Sequence, residues 1–347
     1  MRIFFFSGTG NAKNVAGWMN DHANEKGILS KSIDISKMDK RIIKPEPDEL
    51  IGIIAPTHGF NYPPVVINFI FRFPRTKFRN KIFLVNTRAG MKLSKLFLPG
   101  LSGIALLLAA VTLRIKGYRI VGMRSIDLPS NWISLHPGLR EKVVSSMHER
   151  CKRISVTFIE KMINNKKNYR ALYALPIDLL ISPIAIGYYF IGRFVLAKTF
   201  YASSSCNNCG LCIKQCPVKA IRLVDNRPYW SYRCESCMKC MNTCPLRSIE
   251  TAHGFLFGSM IFLNSAVFTI VYKYFSDSWH FNITGDSFIN SMARVTFESL
   301  IIFFFLILSY RIVHYLRRFK IFEWVMVYTS LTKFKFWRRY KSPKNFK

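Results

Sequence analysis

One cysteine pattern occurs twice in this chain of 347 residues. The first copy is Cys206-x2-Cys209-x2-Cys212-x3-Cys216-Pro217, and the second is Cys234-x2-Cys237-x2-Cys240-x3-Cys244-Pro245. Every position of the second copy follows its counterpart in the first by the same interval, and all but one of the cysteines lie between Cys206 and Cys244. The cysteines therefore form two matched sets of four within a short segment.

The spacing within each copy suits a [4Fe–4S] cube. Three thiolates on one tight loop bind three irons, and a fourth thiolate from a more distant segment binds the last. Two zinc knuckles would also use CxxC pairs, but a third cysteine at the same step and a Cys-Pro ending are not typical of zinc. Disulfides would require an oxidising compartment and better bridge geometry. The pattern predicts two clusters in a domain that faces a reducing cytoplasm.

The two copies resemble bacterial two-cluster ferredoxins, in which the fourth cysteine of each run binds the other cluster. The resemblance implies a small α+β domain, to which we assign residues 201–252. It also implies how the thiols are shared. One cube would be held by Cys206, Cys209, Cys212 and Cys244, and the other by Cys234, Cys237, Cys240 and Cys216.

The beginning of the chain carries a second motif. A predicted strand at Arg2–Phe6 runs into Ser7-Gly8-Thr9-Gly10-Asn11, and a helical pattern follows to about Lys26. Backbone N–H groups at such a turn, together with the helix dipole, favour a phosphate. Downstream, predicted strands alternate with predicted helices, which indicates an α/β fold with a doubly wound parallel sheet. The strands are Lys31–Ile35, Leu50–Ala55, Lys81–Asn86 and Tyr118–Met123, and the helices are Pro64–Phe73, Gly103–Lys116 and about Pro137–Asn164.

Residues 1–165 look like a flavodoxin-like domain. The resemblance implies an FMN site at three loops beyond the strand ends, Ser7–Asn11, Thr57–Tyr62 and Asn86–Gly90. Its residues would be Ser7, Thr9, Gly10 and Asn11 at the phosphate, Phe60 and Tyr62 at the ring, and Asn86 and Arg88 in the third loop. Ala12 replaces the last hydroxyl of the flavodoxin motif, a loss of order 1 kcal/mol in phosphate affinity. Both a flavin domain and a scaffold that lost its cofactor remain open.

Several apolar stretches raise the question of a membrane. We interpret Leu96–Leu113 as a buried helix of the sheet domain, and residues 166–200 as a linker with an interfacial or docking helix. The segments Gly254–Tyr272 and Val295–Tyr310 predict a transmembrane helical hairpin within 253–316, with two buried helices of a soluble core as the alternative. The segment 317–347 is a basic, aromatic tail, which the positive-inside rule places in the cytoplasm.

The formal net charge is +32, with 51 basic and 19 acidic residues. Basic chains bind nucleic acids, anionic lipids or acidic proteins, and here half of all residues are also hydrophobic. The combination favours a membrane surface over a nucleic acid. We therefore expect the protein at the cytoplasmic membrane, with its redox domains and its tail facing the cytoplasm.

These features predict a membrane-associated electron-transfer protein with two [4Fe–4S] clusters, and with FMN if the glycine loop binds it. One alternative is a flavin-dependent reductase with its own small substrate near Asn86–Gly90. Another is a membrane docking subunit with structural or sensing clusters. The sequence does not identify the redox donor and acceptor, and no paired carboxylates or Ser-His-Asp arrangement indicates hydrolytic chemistry.

Overall fold

The computed structural model describes residues 1–38, 44–258 and 287–337, together with residues 261, 265 and 269. The first half of the chain forms one sheet with helices on both faces. Its strands are β1 (Arg2–Phe5), β2 (Lys31–Asp34), β3 (Ile51–Pro56), β4 (Lys81–Leu93), β5 (Leu96–Leu98) and β6 (Arg119–Pro129).

Five of these strands are parallel and lie in the order β2-β1-β3-β4-β6. Counting only the parallel strands, this is the 2-1-3-4-5 order of the flavodoxin-like fold. The remaining strand, β5, folds back antiparallel on the end of β4. The prediction of a flavodoxin-like α/β domain is therefore confirmed by the strand order.

Four helices cover this sheet and bury it on both faces. They are α1 (Asn11–Glu25), α2 (Pro64–Arg72), α3 (Ala105–Ile115) and α4 (Glu141–Ile163). One buried cluster includes Phe4, Ile53 and Leu84 with side chains of α2 and α3, and the opposite cluster includes Ile3 and Val85 with side chains of α1 and α4. Alternating strand residues point to opposite faces, which explains why each strand supplies both cores.

The segment predicted as a buried helix, Leu96–Leu113, divides in two. Its first residues form β5, and its second half lies in α3 with Ala105, Leu106, Ala109 and Leu113 buried. An apolar run of this length suits a core helix when its neighbours cover it.

A chain of short helical turns joins the two halves. A 3₁₀ turn at Arg170–Ala174 leads into α5 (Leu175–Leu180) and α6 (Ser182–Gly187), and a π-helical turn at Tyr188–Gly192 leads into α7 (Arg193–Ala197). The buried carboxylate of Asp178 accepts hydrogen bonds from the backbone N–H groups of Ser102 and Gly103, at 3.0 and 2.8 Å. This segment therefore docks on the sheet domain.

The cysteine-rich half contains two antiparallel strand pairs. Strand β7 (Phe200–Ala202) pairs with β10 (Ile249–Thr251), and β8 (Ile221–Val224) pairs with β9 (Arg227–Trp230). Two short helices, α8 (Leu211–Lys214) and α9 (Lys239–Thr243), each follow the first cysteines of one copy. The arrangement is the small α+β unit expected of a ferredoxin.

The last part of the chain returns to this unit through α10 (Ser287–Leu316) and α11 (Lys320–Tyr328), followed by a 3₁₀ turn at Leu331–Lys333. Tyr201 donates its hydroxyl hydrogen to the Met326 carbonyl at 3.0 Å, and Glu323 accepts from the Ser204 N–H. The indole of Trp337 donates to the Ile133 carbonyl at 2.6 Å. The segment predicted as a tail is thus folded on both domains as far as residue 337.

The predicted transmembrane hairpin is not supported. Its first segment, Gly254–Tyr272, lies mostly outside the described residues, and its second falls within α10, where Tyr310 packs against the ferredoxin unit. Among the helices that the structure describes, no single one is both long enough and apolar enough to cross a bilayer. The two successive segments Arg170–Leu180 and Ser182–Ala197 reach that length and composition only together, and they are bent by 78° at their break.

Candidate metal centres and the crevice beside them

Four cysteines from both copies meet around one cavity. Its lining includes the loop that follows β7 and the Cys-Pro end of the second copy, with the thiols of Cys206, Cys209, Cys212 and Cys244. Burial raises the pKa of the Cys212 thiol to about 11, and the charges of Cys206, Cys244 and Cys209 act in the same direction. This is the set that the ferredoxin resemblance implies for one cube; we call it site I.

The other four cysteines form a second group, site II. Burial raises the pKa of Cys240 well above its usual range, and the neighbouring charges of Cys234, Cys237 and Cys216 raise it further. Burial also raises the pKa of Cys237 to about 12. Thiols in such surroundings lose their protons when metal binds, because the metal charge outweighs the cost of burial.

The two copies share a backbone conformation as well as a spacing. Left-handed φ angles occur at Asn208, Gly210 and Lys219 in the first copy, and at the matching positions of the second, Ser236, Met238 and Arg247. These turns curl the chain around each group of thiols. The N–H of Ala220 points to the Cys216 sulfur at 3.2 Å, and the N–H of Ser248 points to the Cys244 sulfur at 3.3 Å. Hydrogen bonds to sulfur stabilise a thiolate and help to set a cluster's potential.

The grouping of the thiols does not suit a single metal ion. Within the part of the chain that the structure describes, no three histidine, cysteine or acidic side chains come together as ligands of a single metal ion. A [4Fe–4S] cube needs a different arrangement, because each of its four cysteines binds a separate iron at one corner.

A buried lysine lies beside site II. The Lys198 ammonium donates to the Trp230 carbonyl at 2.7 Å and lies 4.9, 4.3 and 4.4 Å from the ring centres of Tyr229, Tyr232 and Tyr310. Burial lowers its pKa to about 8, while the charge of Cys234 acts against that shift. Lys198 was not among the predicted site residues, because its position beside site II depends on how α7 meets β9.

The glycine loop uses its own polar groups internally. The N–H of Gly10 donates to the Ser7 hydroxyl at 3.0 Å, and the Asn131 amide donates to the Thr9 hydroxyl. The Asn11 side chain donates to the Pro129 carbonyl at 2.8 Å. Residues predicted to hold a phosphate are therefore bonded to protein groups.

The second loop differs from the prediction at one residue. Tyr62 is 1% exposed and lies in the core against α2, and its hydroxyl donates to the Val85 carbonyl at 3.1 Å. It therefore has no free face for a flavin ring among the described residues, and its predicted stacking role is wrong for this structure. Phe60 is half-buried with a left-handed φ of 64°, and its carbonyl accepts from the Ile104 N–H.

The third predicted loop is part of a strand. Residues Asn86–Gly90 belong to β4 and pair with β6 as far as Pro129. Arg88 does not face a phosphate, because its guanidinium is paired with Asp127 at 2.6 Å and donates to Ser102 at 3.1 Å. Asn86 is fully buried, and neither polar atom of its amide has a hydrogen-bond partner among the described residues. A buried water or a small polar ligand satisfies such a group.

Residues of the cysteine-rich half and of the connecting segment cover the crevice at this end of the sheet. A β-carbon placed on Gly8 would lie 2.6 Å from the Cys237 carbonyl oxygen, so the glycine loop touches a site II residue directly. The ring of Tyr188 packs on the backbone of Gly59 in the second loop. The residues predicted for FMN thus do not form an open flavin surface in this arrangement.

Trp132 and Tyr188, which were not among the predicted site residues, complete this contact. Trp132 donates its indole N–H to the Ser236 carbonyl at 2.8 Å, and its ring lies 5.5 Å from Tyr188 and 5.6 Å from His58. Trp132 belongs to the loop after β6. That loop leaves the same edge of the sheet as the other three. Its position after a predicted strand is the sequence signal that could have identified Trp132 as a residue of this crevice.

Comparison with known protein families identifies the cysteine-rich segment. A 4Fe-4S dicluster domain family matches residues 205–249. No curated protein matches the sequence.

Solved structures resemble the other half. They include the rubredoxin oxygen:oxidoreductase of Desulfovibrio gigas (11% identity, TM-score 0.32, 47% of this chain and 36% of that chain). A flavodoxin from the domain Archaea shows 16% identity and a TM-score of 0.30, and the match covers 46% of this chain and 98% of that chain. The flavodiiron protein of Giardia intestinalis shows 12% identity and a TM-score of 0.30, and the match covers 47% of this chain and 36% of that chain. This chain therefore spans about a third of the two longer proteins.

These scores are low, so the fold of the first half is assigned from its own strand order. The family match and the paired left-handed turns define the second half. This chain is a flavodoxin-like domain fused to a ferredoxin-type 4Fe-4S domain.

Proposed function

We propose that the protein transfers electrons one at a time through two [4Fe–4S] clusters. Site I would hold one cluster and site II the other, each through three cysteines of one copy and the fourth of the other. The observation that supports this most is the grouping of thiols. Each set of four interacting thiols combines both copies, as in bacterial two-cluster ferredoxins.

The clusters, when bound, supply reversible one-electron chemistry, and the protein tunes it. The backbone N–H groups at Cys216 and Cys244 stabilise charge on sulfur. Lys198 places a buried positive charge near Cys234, which favours the more negative reduced state. No substrate-binding role for the protein is needed in this proposal, which separates it from a flavin-dependent reductase.

The test is anaerobic purification of the full chain in detergent, with iron and sulfide quantified and reduced samples followed by electron paramagnetic resonance. We expect about eight irons per chain and two cubane signals. A reductive titration should take up about two electrons per chain. About four irons, or zinc in place of iron, would contradict the proposal.

We also propose that the protein works at a membrane surface. The bent segment 170–197 carries several exposed apolar side chains, namely Tyr173, Leu179, Leu180, Ile184 and Phe190. Arg170, where this segment begins, also lines an open groove of about 460 Å³ together with Arg124, Arg150, Arg153 and Lys161. Apolar side chains beside clustered cations suit the headgroup region of an anionic bilayer.

Vesicle flotation tests this location. The cluster-loaded protein should float with vesicles that contain phosphatidylglycerol and less with pure phosphatidylcholine, and high salt should weaken the difference. The double variant Leu180→Glu, Ile184→Glu should reduce flotation while leaving iron content unchanged. Equal flotation of this variant and the wild type would contradict a role for segment 170–197.

A further inference from the structure

Three loops of the flavodoxin-like domain reach three consecutive residues of the second cysteine copy, which end at Cys237 of site II. His58, in the loop after β3, makes a hydrogen bond with the backbone of Glu235. Trp132, in the loop after β6, donates to the carbonyl of Ser236 at 2.8 Å. Gly8, in the loop after β1, lies against Cys237. The contacts therefore follow the chain from residue 235 to residue 237.

We propose that the segment Glu235–Cys237 occupies the crevice in which a flavodoxin-like domain would otherwise bind its flavin. The domain then acts as a clamp that positions the Cys237 thiol and the cluster of site II. In this role Gly8, His58 and Trp132 are positioning residues, because they act on the cluster through the backbone of residues 235–237. The inference rests on the proposed function, since it requires a cluster at site II.

The contact at Gly8 explains why the loop needs a glycine there. A β-carbon at this position would lie 2.6 Å from the Cys237 carbonyl oxygen and 2.8 Å from the Cys237 β-carbon, both too short for a side chain. The atoms that the new β-carbon would meet belong to the backbone and side chain of Cys237. Neither can move without changing the cluster site. Any residue larger than glycine must therefore displace the Cys237 loop.

The aromatic side chains of the crevice face one another instead of a flat cofactor. The ring of Trp132 lies between His58, at 5.6 Å, and Tyr188, at 5.5 Å. Tyr188 comes from the connecting segment and packs on Gly59, so both the ferredoxin-type unit and its connection close the crevice. Burial lowers the pKa of His58 to about 4, so the imidazole is neutral in this contact.

Two glycine variants of the full chain, purified anaerobically, test the clamp. In Gly8→Ala the new methyl group should displace the Cys237 loop. The control is Gly17→Ala in α1, where a β-carbon meets no described atom within 4 Å. We expect Gly8→Ala to lose one cluster signal, with iron falling from about eight to about four per chain. Gly17→Ala should keep both signals.

A milder variant keeps the test decisive if Gly8→Ala fails to fold. Trp132→Phe keeps a ring in the crevice but removes the N–H that reaches Ser236. It should shift the spectrum and midpoint potential of the same cluster, and leave the other unchanged.

Two results would overturn the inference. One is a Gly8→Ala protein with both clusters and both potentials at wild-type values. The other is about one FMN bound per cluster-loaded chain. A wild-type protein without two clusters would instead refute the proposed function, so the two failures are distinguishable.

Discussion

The two copies of the cysteine pattern have the same spacing and the same turns, but their surroundings differ. In the first copy Asn207, Asn208 and Cys209 are exposed. Their counterparts in the second copy are covered, since Glu235 and Ser236 are buried and Cys237 is half-buried. Part of this cover comes from the flavodoxin-like domain, where Gly8 lies against Cys237 and Trp132 donates to the Ser236 carbonyl. An internal repeat thus fixes how thiols are arranged, while the neighbouring domain determines how each site meets solvent.

The largest expected effect tests whether the two sites exist as separate sets. Cys212→Ala and Cys244→Ala should each remove the same electron paramagnetic resonance signal, that of site I. Cys216→Ala and Cys240→Ala should each remove the other. Iron should fall to about four per chain in every case. Loss of one common signal in Cys212→Ala and Cys216→Ala would contradict the crossed sets and with them the comparison.

Exposure of site I predicts a difference in how fast iron is lost. A chelator added to oxidised protein should remove iron in two phases, and the fast phase should match the signal that Cys212→Ala abolishes. The reason is that Cys209 is exposed, whereas reaching Cys234 requires the two domains to open. A single phase, or a fast phase assigned to site II, would show that the flavodoxin-like domain gives no protection.

The cations near the two sites should differ in their effect on potential. Lys198→Met should lower the midpoint potential of site II by tens of millivolts, since a buried charge is weakly screened. Lys214→Met, at an exposed residue of α8 near site I, should change little. Titration by film voltammetry of the wild type and both variants measures this.

The same lysine predicts a dependence on pH. Its pKa is lowered to about 8 by burial, so the ammonium loses its proton as pH rises through that region. Loss of the positive charge disfavours reduction, and the potential of site II should therefore fall between neutral and alkaline pH. The Lys198→Met protein should lack this slope. An identical slope in the variant would assign the titration to another group.

The smallest expected effect compares two serines. Ser236 is 1% exposed, and its hydroxyl donates to the Arg193 carbonyl at 3.3 Å. Ser236→Ala should lower the free energy of unfolding by about 1 kcal/mol. Ser205→Ala, at an exposed residue before Cys206, should stay within about 0.5 kcal/mol of wild type. Denaturant unfolding of the cluster-loaded proteins measures both changes. Equal losses in the free energy of unfolding would contradict the difference in burial between the two copies.

Local patterns were enough to predict much of the fold. The predicted strand Lys31–Ile35 and the helix Pro64–Phe73 each differ from the structure by one residue at one end. The motif after Phe6 does form a strand-turn-helix unit with a left-handed Gly10. These elements follow from short-range periodicity and turn chemistry, which the sequence contains in full.

Long-range contacts account for what was missed. The sequence predicts a loop at Asn86–Gly90 beyond the end of a strand, yet pairing with β6 extends the strand through it. The flavodoxin resemblance implies that Tyr62 stacks on a flavin ring, although the surrounding apolar side chains bury it. The contact of residues 235–237 with the flavodoxin-like domain depends on how two domains meet, and no periodicity within either one shows that.

Flavin binding to the cluster-loaded protein tests the central claim most directly. FMN would be added to the anaerobic full chain, with fluorescence quenching used to count bound flavin, after the flavin content of the purified protein is determined. If the Glu235–Cys237 segment occupies the crevice, the purified protein contains no flavin and added FMN stays fluorescent. Quenching that saturates at one FMN per chain, with both clusters intact, would contradict the account.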